Sequence, residues 1–150
     1  MIHRYFLSSK RVFVALLLCG CSAIASAQQM KSFGDYDIHY SAYNSTFLAP
    51  NIAKIYGITR GSNTAILTIS VQPQGGVGDG VTAEITGKAN NLIQQVKYFD
   101  FKEIKEGRAI YYVSSFKFDD EDALTFDIEV KIGPTGEKHH MKWQQRFWED

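Results

Sequence analysis

The chain has 150 residues, with 16 Lys and Arg against 16 Asp and Glu and two cysteines. Three of the basic residues (Arg4, Lys10, Arg11) and none of the acidic ones precede Gln28, so residues 28–150 carry 13 basic against 16 acidic side chains, a net −3. That balance argues against a nucleic-acid partner, which needs a basic face, and against electrostatic adhesion to anionic lipid.

Residues 1–12 hold His3, Arg4, Lys10 and Arg11 and no acid, an apolar run follows over Val12–Leu18, and the stretch closes on Ala25-Ser26-Ala27. This is the layout of an export signal, residues 1–27, cut after Ala27; the apolar run is too short to span a bilayer. The expected working domain is residues 28–150, a single domain outside the cytoplasm, long enough to bury roughly two-thirds of its unfolded surface. Leu18-Cys19-Gly20-Cys21 offers a rival cut. It resembles a bacterial lipobox with Cys21 as the lipidated residue, which would tether the same domain to a membrane. After a cut at Ala27 both cysteines are gone, and the domain is stable through packing alone.

The rest of the chain alternates with period two, the mark of half-buried strands. Tyr36, Ile38, Tyr40 and Ala42 alternate with Asp37, His39 and Ser41; Pro50 then opens a short helix through Tyr56, stopped at Gly57. Ala65, Leu67, Ile69 and Val71 form the next dry face, and Val81, Ala83 and Ile85 the one after the Gly-rich loop 74–80. Over 96–102 the parity switches, Val96 and Tyr98 against Phe99 and Phe101, as a bulge or burial of both faces would require. Residues 108–118 carry aromatics on both parities and suit a central strand. Asp119-Asp-Glu-Asp122 is expected as a solvated acidic hairpin tip rather than a cation site, because it lacks the EF-hand spacing. Leu124 to Ile132 is the cleanest alternation, and Met141, Trp143 and Phe147 share a parity in the last strand. About seven short strands with tight turns at 105–107 and 133–136 predict an all-β, antiparallel, immunoglobulin-like β-sandwich with one short helical excursion.

Several segments carry a family resemblance: Phe33-Gly-Asp-Tyr-Asp-Ile-His-Tyr40, Asn44-Ser-Thr-Phe-Leu48, Tyr56-Gly-Ile58, Ala65–Val71, Glu103–Gly107 and Ala109-Ile-Tyr-Tyr112. Together they resemble the bacterial exported family named domain of unknown function 4426. The resemblance covers nearly all of residues 28–150, apart from a Gly-rich loop longer than the family pattern. It implies a small periplasmic β-domain of Gram-negative bacteria and supplies no catalytic residues.

Chemistry is sparse. There is no Gly-x-Ser-x-Gly elbow, no His-Glu-x-x-His and no cysteine nucleophile. His139 and His140 are adjacent on a strand and point to opposite faces, so they do not chelate one metal; no metal and no cofactor is expected. The candidate binding residues are Asn44, Ser45 and Thr46 as a shallow polar pocket, Tyr36 and His39 on the strand before it, and Tyr111 and Trp148 as aromatic anchors. Trp148 falls on the parity opposite Trp143 and Phe147, beside Lys142, Gln144 and Arg146. The expected role is a periplasmic binding or accessory module that acts by protein or ligand contact and not by catalysis, with a protein or peptide as the expected partner, for instance at a free sheet edge. Two alternatives stand beside it. One is a small hydrolase using His39 with Ser45 or Thr46; the other is an envelope lipoprotein anchored through Cys21.

Overall fold

The computed structural model describes residues 29–133 and 136–150. The expected signal, with Cys19 and Cys21, lies outside the described residues, as do Pro134 and Thr135 of the 133–136 turn. The described residues form β1 (Gln29–Phe33), β2 (Tyr36–Asn44), α1 (Pro50–Tyr56), β3 (Thr64–Pro73), β4 (Ala83–Asn90), β5 (Val96–Tyr98), β6 (Lys102–Glu106), β7 (Ala109–Lys117), β8 (Asp122–Ile132) and β9 (Lys138–Phe147). A single turn of 3-10 helix, Ser45–Phe47, follows β2.

One sheet runs β1-β2-β3-β7-β6 and the other β5-β4-β8-β9, with every pairing antiparallel. Without β1, these are the A-B-E-D and C′-C-F-G orders of an immunoglobulin-like sandwich. The described strands number nine where the alternation shows seven. β1 is added by a two-residue hairpin at Gly34, whose φ of +56° suits glycine. The stretch 96–102 divides: β5 belongs to one sheet and β6 to the other. The parity switch at Phe99 and Phe101 is where the chain crosses between the sheets, and both rings pack against the core from that crossing.

The acidic segment is likewise a crossing and not a hairpin tip. It carries the chain from β7 in one sheet to β8 in the other. Asp119, Asp120 and Glu121 are solvated as expected, but Asp122 is buried as the first residue of β8, 3.8 Å from Lys97 Nζ. The helix has the expected limits: Pro50 in its first turn, and Gly57 at φ +68° donating its N–H to the carbonyls of Ala53 and Lys54.

The core lies between the sheets. Ile38, Leu67, Ile69 and Val71 face Leu124, Phe126, Ile128 and Val130, all fully buried. Phe126 is its hub, stacked on Trp143 at 4.6 Å and 3°, on Phe99 at 5.7 Å and 8°, and edge-on to Phe116 at 5.8 Å. Such ring pairs contribute about 0.5–1.5 kcal/mol each beyond their buried area. A smaller apolar cluster sits on the outer face of the first sheet. There Leu48, Tyr56 and Ile58, from the segment between β2 and β3, cover Ile66, Tyr111 and Val113 around a cavity of about 170 Å³. This cover explains why Ile66, on the outward parity of β3, is fully buried.

Candidate functional site

The sandwich is open along one side, where β2 of the first sheet faces β9 of the second. Among the described residues, which begin at Gln29, β1 covers β2 from Tyr36 to Tyr40, while β2 continues to Asn44. Ser41–Asn44 are therefore bordered by β3 on one side and, among the described residues, by no strand on the other. β9 pairs with β8 and is the edge of its own sheet. Between these two edges lies a groove of about 510 Å³.

Its floor is aromatic. Tyr40 and Trp143, on the inward parities of β2 and β9, meet across the sheets with ring centroids 4.5 Å apart. The other face of Trp143 is the one stacked on Phe126, so the groove floor is continuous with the core. Burial raises the Tyr40 phenol above its ordinary pKa, so its hydroxyl is neutral at physiological pH. At the end of the groove stand Phe47 and Trp148, 77% and 56% exposed, large apolar side chains presented to water.

The polar groups tie the two edges together. Gln145 Nε2 donates to the Ala42 carbonyl at 2.8 Å. Asn44 Nδ2 donates to the Trp148 carbonyl at 2.8 Å and to Asp150 Oδ1 at 3.0 Å, while Thr46 Oγ1 donates to the second oxygen of Asp150. Arg60 Nη2 donates to the Thr46 carbonyl at 2.8 Å. The end of β2 and the last residues of the chain are thus one hydrogen-bonded unit, and it holds the backbone that carries Trp148.

Of the residues singled out from sequence, the structure brings Asn44, Thr46 and Trp148 together at this groove. Ser45 belongs to the scaffold: fully buried, its hydroxyl donates to the Gly61 carbonyl at 3.1 Å and accepts the Gly61 N–H at 3.0 Å. Tyr36 lies at the opposite end of β2 and packs against the core. His39 sits among the partners Met30 and Ser70 on the outer face, five strand positions before Asn44, or roughly 17 Å of extended chain. Neither Ser45 nor Thr46 is within its hydrogen-bond reach, so the geometry expected of a His39–Ser45 or His39–Thr46 pair is not present. Tyr111 is half-buried beneath the α1 segment and is not at the groove. His139 and His140 do take opposite faces: His139 packs on Phe33 with the rings tilted by 32° and centroids 4.8 Å apart, and His140 Nε2 is 3.4 Å from Glu129.

Sequence reasoning missed Tyr40, Trp143 and Gln145 as site residues. The signal was present: in an immunoglobulin-like sandwich the first and last strands of the two sheets are neighbours across the open side, and both carry inward aromatics.

The family model described as a domain of unknown function (DUF4426) matches residues 30–150. Among solved structures, the chain is similar to a DUF4426 family protein from Pseudomonas aeruginosa PAO1, with 29% identity and a TM-score of 0.71 over 81% of this chain and 95% of that one. It is also similar to FetP of uropathogenic E. coli strain F11, recombinantly expressed in the periplasm of E. coli, with 7% identity and a TM-score of 0.58 over 81% of this chain and 93% of that one. A copper-bound variant of FetP gives 7% identity and a TM-score of 0.56 over 82% of this chain and 91% of that one. The likeness to FetP is one of fold. No curated protein matches the chain in sequence.

Proposed function

From the premise that the chain belongs to the DUF4426 family, we propose that it is a periplasmic contact module that binds an extended segment of a protein partner in the groove between β2 and β9. One observation carries this reading: among the described residues Ser41–Asn44 of β2 have no strand on the side away from β3 and β9 is the edge of its sheet, so two strand edges face each other across an aromatic floor. An extended peptide can hydrogen-bond through its main chain to the edge groups that the Gln145–Ala42 and Asn44–Trp148 bonds do not occupy, and pockets between strands then select its side chains. Phe47 and Trp148 supply the exposed aromatic area that dominates binding in small interfaces. The periplasmic address rests on the export signal expected in residues 1–27. FetP, a protein of similar fold, was recombinantly expressed in that compartment. An acyl anchor on Cys21 would leave the same groove facing the same space.

Copper is a property of FetP. Among the described residues this chain has no group of three His, Cys, Asp or Glu side chains around one point, and the reading uses no metal.

The test is in-cell photo-crosslinking from a photoreactive residue at Gln144 or Phe47, compared with Tyr111 and His39 on the other faces. The groove positions are expected to capture one recurring protein through an extended segment. Capture centred on Tyr111 or His39, or no capture above background, would overturn the proposal.

A further inference from the structure

The proposed partner strand has a readable charge. Along β9 the outward positions are Lys138, His140, Lys142, Gln144 and Arg146, all exposed, with no acid among them. Glu129 engages the first two, at 2.8 Å from Lys138 Nζ and 3.4 Å from His140 Nε2. Of the other two basic residues, Arg146 lines the groove, and Lys142 is exposed on the outward face of β9, next in sequence to the groove residue Trp143. Asp127 is the register partner of Lys142 on β8, yet among the described residues no carboxylate lies within 4.0 Å of Lys142 or Arg146. Asp150, the acid at the groove's end, is already held by Asn44 and Thr46. A chain with an acidic excess over residues 28–150 thus presents two unpaired cations, four residues apart, on the edge that borders its groove.

This arrangement discriminates among occupants. A second copy adding its own β9 would set Lys and Arg beside Lys and Arg, and like charges on adjacent strands destabilise a sheet. A strand with acids on its outward positions gains where a second copy loses. Inward positions of the same strand would lie over Trp143, Gln145 and Phe147, where the lining is largely apolar.

Building on the binding reading above, we propose that the occupant is an extended segment with two acidic residues four positions apart and apolar residues between them. Its acidic side chains lie beside Lys142 and Arg146 and its apolar ones over the Tyr40–Trp143 floor. Selection is by charge across the β9 edge, and anchoring is by the aromatic floor.

The test uses the folded protein and two synthetic octapeptides, one alternating valine with glutamate and one alternating valine with lysine. Affinity is read by calorimetry and by tryptophan fluorescence. The glutamate peptide is expected to bind roughly tenfold more tightly than the lysine peptide, from two cross-strand pairs that change from attractive to repulsive. The double variant Lys142→Glu/Arg146→Glu should reverse that order. Lys142→Gln/Arg146→Gln should abolish it, which keeps the test decisive if the charge reversal disturbs folding. Equal affinity of the two peptides, with both weakened by Trp148→Ala, would overturn the charge assignment and leave the groove as a strand-binding site. Failure of the folded wild type to bind either peptide would overturn both proposals.

Discussion

Asp37 shows how much a single side chain does on this scaffold. It is buried on β2, where Ser32 Oγ donates to one carboxylate oxygen and the Gly75 N–H donates to the other at 3.0 Å. These donors, Ser32 first, hold its carboxyl below the ordinary value of 3.8. A depressed carboxylate pKa contributes stability that is complete at neutral pH and is lost as the pH falls through the folded value. Ser32→Ala should therefore flatten the acid limb of a melting-temperature profile below about pH 4; superimposable profiles would contradict this. Tyr111 makes the complementary point. Its sequence neighbourhood suggests an exposed anchor, because it alternates against Tyr112, which is buried. What covers it is the α1 segment, some 55 residues earlier in the chain, and a pairing so distant leaves no local pattern. Tyr111→Ala is therefore expected to lower stability by about 1–3 kcal/mol through lost apolar burial, seen as a fall in melting temperature, and to leave partner capture unchanged.

Among the elements, the strands were legible wherever one face is wet and the other dry. β8 and β9 show the alternation in full, and the helix declares itself through Pro50 and Gly57. Legibility failed where the chain changes sheets. Phe99 and Phe101 mimic a strand with two buried faces, and Asp119–Glu121 mimic a hairpin tip, because a local pattern does not record which sheet follows. β1 was missed for another reason: it is a short, half-exposed edge whose Met30 points to water. The central stack of Phe99, Phe126 and Trp143 joins core to groove. Phe126→Ala should cost about 3–5 kcal/mol, measured by urea unfolding. It should also loosen Trp143, visible as a shifted tryptophan emission. A loss below about 1 kcal/mol, outside the range for a large buried ring, would mean that the rings repack without it.

At the scale of the whole molecule, the site is a property of topology. Tyr40 and Trp143 are 103 positions apart in sequence, and Asn44 meets Asp150 across 106. Only the sandwich order, with β2 of one sheet beside β9 of the other, makes them neighbours. That is why Asn44, Thr46 and Trp148 could be singled out one by one as polar or aromatic candidates, while the groove they share could not. Membership of the DUF4426 family fixes the kind of scaffold and leaves its activity unnamed, so the binding reading stands on the open edge itself. The measurement that tests it most directly is an amide chemical-shift map of the isotope-labelled protein titrated with the valine–glutamate octapeptide. Shifts confined to Ser41–Thr46 and Trp143–Asp150 are the result predicted here. Shifts on β6, β7 and α1 instead, or none at saturating peptide, would contradict it.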